Sequence, residues 1–214
     1  MKKDDKNITF MKLFWIFFIG CILGYIIEVS FYLIKHGVFM NKQGLLYGPF
    51  KPMYGLGAVF ITVILYFFRN RKSIIIFLYG SIIGATFEYI SSVVLEYLFG
   101  TCMWNYSKMP YNINGRIFIP YIPIWGIIAL IWLKFLYPKF NTLYNKIPKK
   151  IMYVLTVFLV IFMTYDIFIS SVATSRMTKR AHNIEPTTKV EKYIDKKYTD
   201  EYILKRIPYL RVVD

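Results

Sequence analysis

The strongest constraint on this chain is a series of five apolar stretches, each close to the roughly 20 residues that cross about 30 Å of hydrocarbon. They run from about Leu13 to Ile34, Pro52 to Phe68, Ser73 to Phe99, Ile117 to Tyr137 and Ile151 to Val172. The expected fold is therefore an all-α integral membrane protein of about five transmembrane helices. A composition that is 57% apolar and only 18% charged agrees with that class and leaves no soluble domain of useful size.

In a soluble chain the formal charge of +15 would suggest a nucleic-acid partner. Here the basic residues cluster between spans. The head, the Arg69 to Lys72 turn and the Lys134 to Lys150 connection hold twelve Lys or Arg, against five in the two opposite loops. That asymmetry is the positive-inside pattern, so nucleic-acid binding is discounted and the N-terminus is expected in the cytoplasm of a multi-pass protein. Five crossings put the tail after Val172 outside, although Arg176, Lys179 and Arg180 pull the other way. The short charged head, Lys2, Lys3, Asp4, Asp5 and Lys6, resembles the start of a signal peptide. The length of the first span, its Glu28 and the lack of a small-residue cleavage site argue that it is retained.

An internal duplication runs through the first four spans. Gly20, Ile22, Gly24 and Glu28 recur as Gly80, Ile82, Gly84 and Glu88, all at an offset of 60. Asn41, Gly44, Pro49, Pro52 and Gly55 recur as Asn112, Gly115, Pro120, Pro123 and Gly126 at an offset of 71, with Tyr54 facing Trp125. Two unrelated windows of that length share about one identity, whereas these share five. Each unit reads as a long helix, a polar and aromatic loop and a proline-entered helix. Two spans per unit make the copies cross in the same sense, related by a pseudo-two-fold axis along the membrane normal. The second copy carries eleven additional residues, in a stretch that contains Glu96 and Trp104 to Ser107.

Four carboxylates lie within the apolar stretches: Glu28, Glu88, Glu96 and Asp166. A charge at mid-membrane costs about 2.5 to 3.5 kcal/mol on the insertion scale, so these groups must be paired, hydrated or protonated. Lys51, Lys108, Asn112, Asn114 and Arg116 are the candidate partners. Helical spacing keeps Gly20, Gly24 and Glu28 on one face, and Gly80, Gly84, Glu88, Ser92 and Glu96 on another. Glycine ridges allow close helix packing, below what is expected to be a shared polar chamber near the repeat loops. For Glu28 and Glu88 a clamp on the loops stands level with a functional role, while Glu96 and Asp166 lean toward function. Trp15, Trp104, Trp125 and Trp132 read mainly as interfacial belt and lipid-facing filler; Trp104 and Tyr106 are the exceptions.

The chain lacks G-x-x-x-x-G-K-[ST], G-x-S-x-G and H-E-x-x-H, so nothing in it binds nucleotide by a P-loop or marks a hydrolase. His36 and His182 are too far apart for a zinc site, and Cys21 and Cys102 give no disulfide framework. No metal or cofactor is expected. The tail from Thr174 to Asp214 reads as a solvated or membrane-surface segment, with one amphipathic helix permitted across Glu191 to Glu201.

With these residues in view, the chain resembles the ABC-transporter type IV (CmpB-type) family of bacterial membrane proteins from about Phe14 to Leu136, more weakly to Asp166 and Ser170. The resemblance rests on G-Y-I-I-E at Gly24 to Glu28, G-L-L-Y-G-P-F-K-P-M-Y-G-L-G at Gly44 to Gly57, the E-Y-x-x-S-x-x-L-E pattern from Glu88 to Glu96, W-N-Y-S at Trp104 to Ser107, N-I-N-G-R at Asn112 to Arg116, and Trp125-Gly126. Tyr25 and Asn105 depart from the family's usual Trp and Asp. The resemblance implies a bacterial cell membrane and an ABC permease served by a separate ATPase subunit. The Arg69 to Lys72 turn is too short for a coupling helix, and Pro138 and Pro148 are expected to interrupt the Lys134 to Lys150 connection.

The expected organisation is a cytoplasmic head (1–12), a first two-helix repeat (13–68), a second (73–137), a linker and fifth span (138–172) and a charged tail (173–214). The leading reading is a transport component with an acidic, outward-facing chamber for a cation or small polar substrate. Its expected ligands are Glu28, Glu88, Glu96, Asp166, Arg116, Trp104, Tyr106 and Asn112. Gly20, Gly24, Gly80, Gly84, Asn41, Gly44, Pro49, Pro52, Gly115, Pro120 and Pro123 would shape the scaffold. A non-catalytic scaffold or regulatory partner and an intramembrane enzyme acting on a lipid-linked substrate stay open as alternatives. The bilayer, a separate ATPase and a second copy of the chain are the expected partners.

Overall fold

The computed structural model describes residues 8–213; the charged head from Lys2 to Lys6 lies outside the described residues. Helix α1 spans Phe10–His36, α2 Pro52–Leu65 with a closing 3₁₀ turn at Tyr66–Phe68, α3 Ser73–Phe99, α4 Ile122–Ile131, α5 Tyr137–Lys146 and α6 Lys149–Ala181. Four helical stretches are long and apolar enough to cross a membrane: Phe10–His36, Ser73–Phe99, Ile119–Lys146 and Lys149–Ala181. Pro52–Phe68, expected as the second span, is a shorter apolar helix. Many large apolar side chains point outward, among them Ile26, Ile82, Phe158, Ile161 and Phe168, as hydrocarbon rather than water would require.

Helix α1 packs on α2, and α3 on α4, through the same set of contacts. A Cβ added at Gly20 would lie 3.0 Å from the Gly55 Cα and 3.1 Å from the Ala58 Cβ. One at Gly80 would meet the Ala129 Cβ and lie 3.4 Å from the Gly126 Cα. One turn further on, Gly24 lies under the Tyr54 ring and Gly84 under the Trp125 ring. In return, Gly55 abuts Phe17 and Cys21, while Gly126 abuts Phe77 and Ser81. Every partner in the second pair sits at the offset of 60 or 71 from its counterpart in the first. Absent side chains let the backbones meet closely enough for dispersion to hold the pairs together where lipid supplies no hydrophobic drive.

Pro138 does not break the stretch expected as the fourth span. It has no N–H to donate to the Lys134 carbonyl, and the helix absorbs the loss in a π turn over Trp132–Leu136, with the Tyr137 N–H bonded to the Trp132 carbonyl. The helix then continues through α5, nine residues past the expected end at Tyr137. The Lys134 ammonium donates to the Arg69 and Arg71 carbonyls and so ties this end to the α2–α3 turn. A buried cluster of Ile16, Leu65, Ile76, Trp132 and Tyr137 fills the same end of the bundle.

The tail is a second departure from expectation. Instead of one solvated helix it forms α7 (Lys189–Lys197) and α8 (Asp200–Arg206). Ile194, Tyr198, Ile203, Ile207 and Leu210 bury against Leu46, Ile169, Ala173 and Met177. Helix α6 overruns its expected end at Val172 because its last turns have partners. Arg176 pairs with Asp195 (2.5 Å), Lys179 with Glu191 (2.9 Å), and Arg180 with Asp195 and Asp200. These three bases are neutralised by the tail, which weakens their pull on the topology. The two-residue strands β1 (Thr101–Cys102) and β4 (Arg211–Val212) pair antiparallel and fasten the chain's end to the loop after α3. The tail and the loops after α1 and α3 therefore occupy one end of the bundle.

Close packing at the glycines is testable. Gly84→Val drives a side chain into the Trp125 ring and is expected to lower stability by about 1–3 kcal/mol, read as earlier unfolding in detergent. Gly57→Ala, whose new methyl would have the Phe87 ring at an ordinary 3.4 Å, should leave unfolding unchanged. The tail should also be acid-sensitive. Hydrogen bonds from Lys179 and from Thr187 hold the Glu191 carboxyl down at about 2, and Arg176 then Arg180 hold Asp195 low. Groups with depressed folded pKa stabilise above their unfolded value and lose that contribution as pH falls through the folded one. Hydrogen-exchange protection of α7 and α8, corrected for intrinsic rates, is expected to hold from pH 7 to about 5 and to fall between about 4 and 2.

Candidate functional site

The site grows out of the glycine contacts. Trp125 lies flat on Gly84, so its indole reaches one turn up α3, and Nε1 donates to Glu88 Oε2 at 2.8 Å. In the first pair Tyr54 lies on Gly24 and hydrogen-bonds to Glu28, again one turn up. Each small residue admits a ring, and each ring carries a polar tip to a carboxylate four residues along.

The loops supply the remaining partners. Lys51, the residue before α2, forms an ion pair with Glu28. Tyr106, from the loop after α3, donates its hydroxyl to Glu88 Oε1 at 3.3 Å. Burial and the neighbouring Glu88 hold the Tyr106 phenol well above its ordinary value, so it remains a donor. The loop keeps its shape through a hairpin of β2 (Asn112–Ile113) and β3 (Ile117–Phe118). Asn114 and Gly115 have φ of 52° and 68°, the left-handed pair that an Asn-Gly turn accommodates. Asn112 works within the loop, donating to the Met109 carbonyl (2.7 Å) and accepting from the Gly115 N–H (2.8 Å). Trp104 Nε1 donates to the Arg116 carbonyl at 3.0 Å.

The two carboxylates and their ring and lysine partners line a cavity of about 230 Å³, whereas Asn112 is not in its wall. Glu28, Glu88, Trp104 and Tyr106 are in its wall, with Tyr54 and Trp125. The wall also holds Lys42, Lys51 and, from the tail, Ile207 and Tyr209. The Lys42 ammonium sits 3.1 Å from the Tyr209 ring centroid and 4.5 Å from that of Tyr32. Burial lowers the pKa values of both lysines, while Glu28 opposes the shift. Two carboxylates face two ammonium groups, so the chamber expected to be acidic is balanced in charge.

The other sequence candidates lie elsewhere. Glu96 pairs with Arg116 at 2.7 Å, its side chain 41% exposed, and Arg116 also donates to Ser92 Oγ at 3.0 Å. Asp166 is fully buried. Its Oδ1 accepts from the Tyr47 N–H (3.1 Å) and Ser170 Oγ (3.2 Å), and the same Ser170 oxygen accepts from the Leu46 N–H (2.9 Å). The first loop is thus pinned by Asp166, as well as by its own bonds from the Gly44 N–H to the Phe50 carbonyl (2.8 Å) and between Asn41 and Gln43. The four acids do not share one chamber: Glu28 and Glu88 do, while Glu96 and Asp166 hold loops. Of the scaffold residues, Pro52 and Pro123 open α2 and α4, and Pro120 lies in the 3₁₀ turn Ile119–Tyr121. Lys42, Ile207 and Tyr209 were not foreseen. The four-residue spacings Ile194–Tyr198 and Ile203–Ile207 were the available signal that the tail buries a face.

Removing one partner of the Lys51–Glu28 pair leaves a charge unmatched in a half-buried site. Lys51→Met is expected to destabilise the protein by about 3 kcal/mol, and the double variant Glu28→Gln/Lys51→Met should recover most of that loss. Thermal unfolding of purified protein in detergent measures both.

No curated protein and no solved structure matches the chain. A family match does cover most of it, from residue 15 to 171, taking in all of α1 to α4 beyond the first turns and most of α6. That stretch contains both glycine-packed pairs, both cavity carboxylates and the Asp166 clamp, and the chain belongs to the family described as "Putative ABC-transporter type IV".

Proposed function

We propose that this chain is the membrane-embedded component of a transport system, whose cavity binds a cation or a small polar substrate bearing a positive group. The observation that carries the reading is the state of Glu88. Its carboxylate accepts from two neutral donors, Trp125 and Tyr106, and forms no ion pair among the described residues, while facing a cavity walled by aromatic rings. A carboxylate held this way is oriented for a cation that the protein does not itself supply, and ring faces add cation–π attraction.

In this reading the two helix pairs are copies of one unit crossing in the same sense, α6 is the fifth span, and the cavity opens on the extracytoplasmic side. The opposite end then meets a separate ATPase subunit. Because the π turn carries the fourth span through Pro138, α5 offers a ten-residue helix there, and Lys134 links it to the α2–α3 turn.

A scaffold role is favoured by the way Glu28, Glu96 and Asp166 are already engaged. The two readings separate at Glu88. Glu88→Gln keeps the shape and the Trp125 contact but removes the charge. It is expected to preserve expression and unfolding temperature while lowering substrate-dependent thermal stabilisation and transport at least tenfold. Transport undiminished in a well-expressed Glu88→Gln protein would sink the proposal and favour the scaffold.

A further inference from the structure

A second hollow adjoins the charged cavity. It has a volume of about 450 Å³ and an almost wholly apolar lining, between α2, α3 and α6. That volume is within the range of about 300–1,000 Å³ usual for small-molecule sites. Lys51, Met53, Phe87, Met103 and Ile207 line both spaces, so the two hollows adjoin along these side chains. Leu56, Phe60, Ile90 and Val94 along the groove are each more than a third exposed, so it opens sideways, toward lipid rather than toward water.

Its length has a physical counterpart. On α2 the lining runs from Pro52 to Phe60, about 12 Å of helix, and on α3 from Phe87 to Phe99, about 18 Å. One leaflet of a bilayer with about 30 Å of hydrocarbon is about 15 Å deep. The groove therefore has about the length of a single leaflet, and its Pro52 and Phe99 ends lie at the loop face, beside the charged cavity. The charges divide between the two hollows. Lys51 lines both hollows, whereas Glu88, with no ion pair among the described residues, lines only the first, together with Trp104, Tyr106 and Trp125.

We propose that the ligand is a membrane phospholipid with an ammonium–phosphate head: the ammonium at Glu88, the phosphate toward Lys51 and Lys42, and an acyl chain in the groove between α2, α3 and α6. This rests on the reading of Glu88 as a cation site and names the class of molecule it takes. An amphiphile explains both hollows and their junction, and a zwitterionic head matches a cavity that holds two carboxylates and two ammonium groups. A free cation or polar solute would use the cavity and leave the groove without a role.

The test uses the full chain in detergent, with three probes titrated in parallel: a phosphatidylethanolamine carrying a fluorescent acyl chain, the equally labelled phosphatidylglycerol, and free phosphoethanolamine. Phosphatidylethanolamine should bind at least tenfold more tightly than either of the others. Glu88→Gln should abolish the preference over phosphatidylglycerol. Val94→Trp, which adds bulk at an exposed groove position, should weaken both lipids at least tenfold while leaving phosphoethanolamine unchanged. If phosphoethanolamine binds as tightly as the lipid and Val94→Trp has no effect, the lipid proposal is overturned and the cation site at Glu88 stands. If the two lipids bind alike and Glu88→Gln changes nothing, both fall. Absence of any binding to the wild-type protein overturns the proposal without reference to a variant.

Discussion

The structure depends on rings laid against glycines inside the membrane. Where apolar side chains gain little by leaving lipid for protein, helices associate through the closeness of their packing and through hydrogen bonds. Gly24 and Gly84 serve both. The missing Cβ admits Tyr54 and Trp125, whose bulk fills the interface and whose polar tips arrive at Glu28 and Glu88. A carboxylate one helical turn from a glycine is thereby given a donor in the course of packing, and a group that is costly in hydrocarbon acquires a fixed orientation. The spacing G-x-x-x-E with an aromatic residue on the facing helix thus unites packing and polarity in one contact.

Much of this was legible in the sequence because its determinants are local or periodic. Four of the apolar stretches are helices long enough to cross a membrane, and residues at offsets of 60 and 71 make matching contacts, among them Phe17 with Gly55 and Phe77 with Gly126. What was not legible depended on pairing between distant segments. Periodicity puts Glu88, Ser92 and Glu96 on one face, but it does not say that Arg116 takes Glu96 and leaves Glu88 to neutral donors. Nor does it say that Asp166 spends one oxygen on the Tyr47 amide, 119 residues away. Position alone leaves clamp and function level for Glu28 and Glu88 and leans toward function for Glu96 and Asp166. In the structure Glu28 and Glu88 line the cavity, while Glu96 pairs with Arg116 and Asp166 accepts from the Tyr47 amide.

Proline and charge misled for a related reason. Pro138 reads as a helix end because its ring and missing N–H oppose an α-turn, yet a single π turn satisfies the same residues and lets the helix proceed. Arg176, Lys179 and Arg180 read as membrane-flanking cations because their anions lie in a segment whose helices are too short to announce themselves. Helices of nine and seven residues are marginal alone. Here they persist because Thr188 and Thr199 cap them and because Ile194, Tyr198, Ile203 and Ile207 close over the end of α6.

The position of the tail ties its stability to the site. Ile207 and Tyr209 are in the cavity wall, and Tyr209 covers Lys42, so the segment that neutralises the end of α6 also forms part of the enclosure around the two carboxylates. An enclosure matters here because electrostatic attraction between a ligand and Glu88 grows as water is excluded. Lys51 and Met53 line both this cavity and the adjoining apolar groove. The cavity is thus bounded on one side by the tail and on another by a groove lined with apolar side chains. A carboxylate with two neutral donors, in a space bounded in that way, favours a cation that arrives already partly surrounded by apolar matter. An ammonium head on an acyl chain is such a cation, and a hydrated metal ion is not.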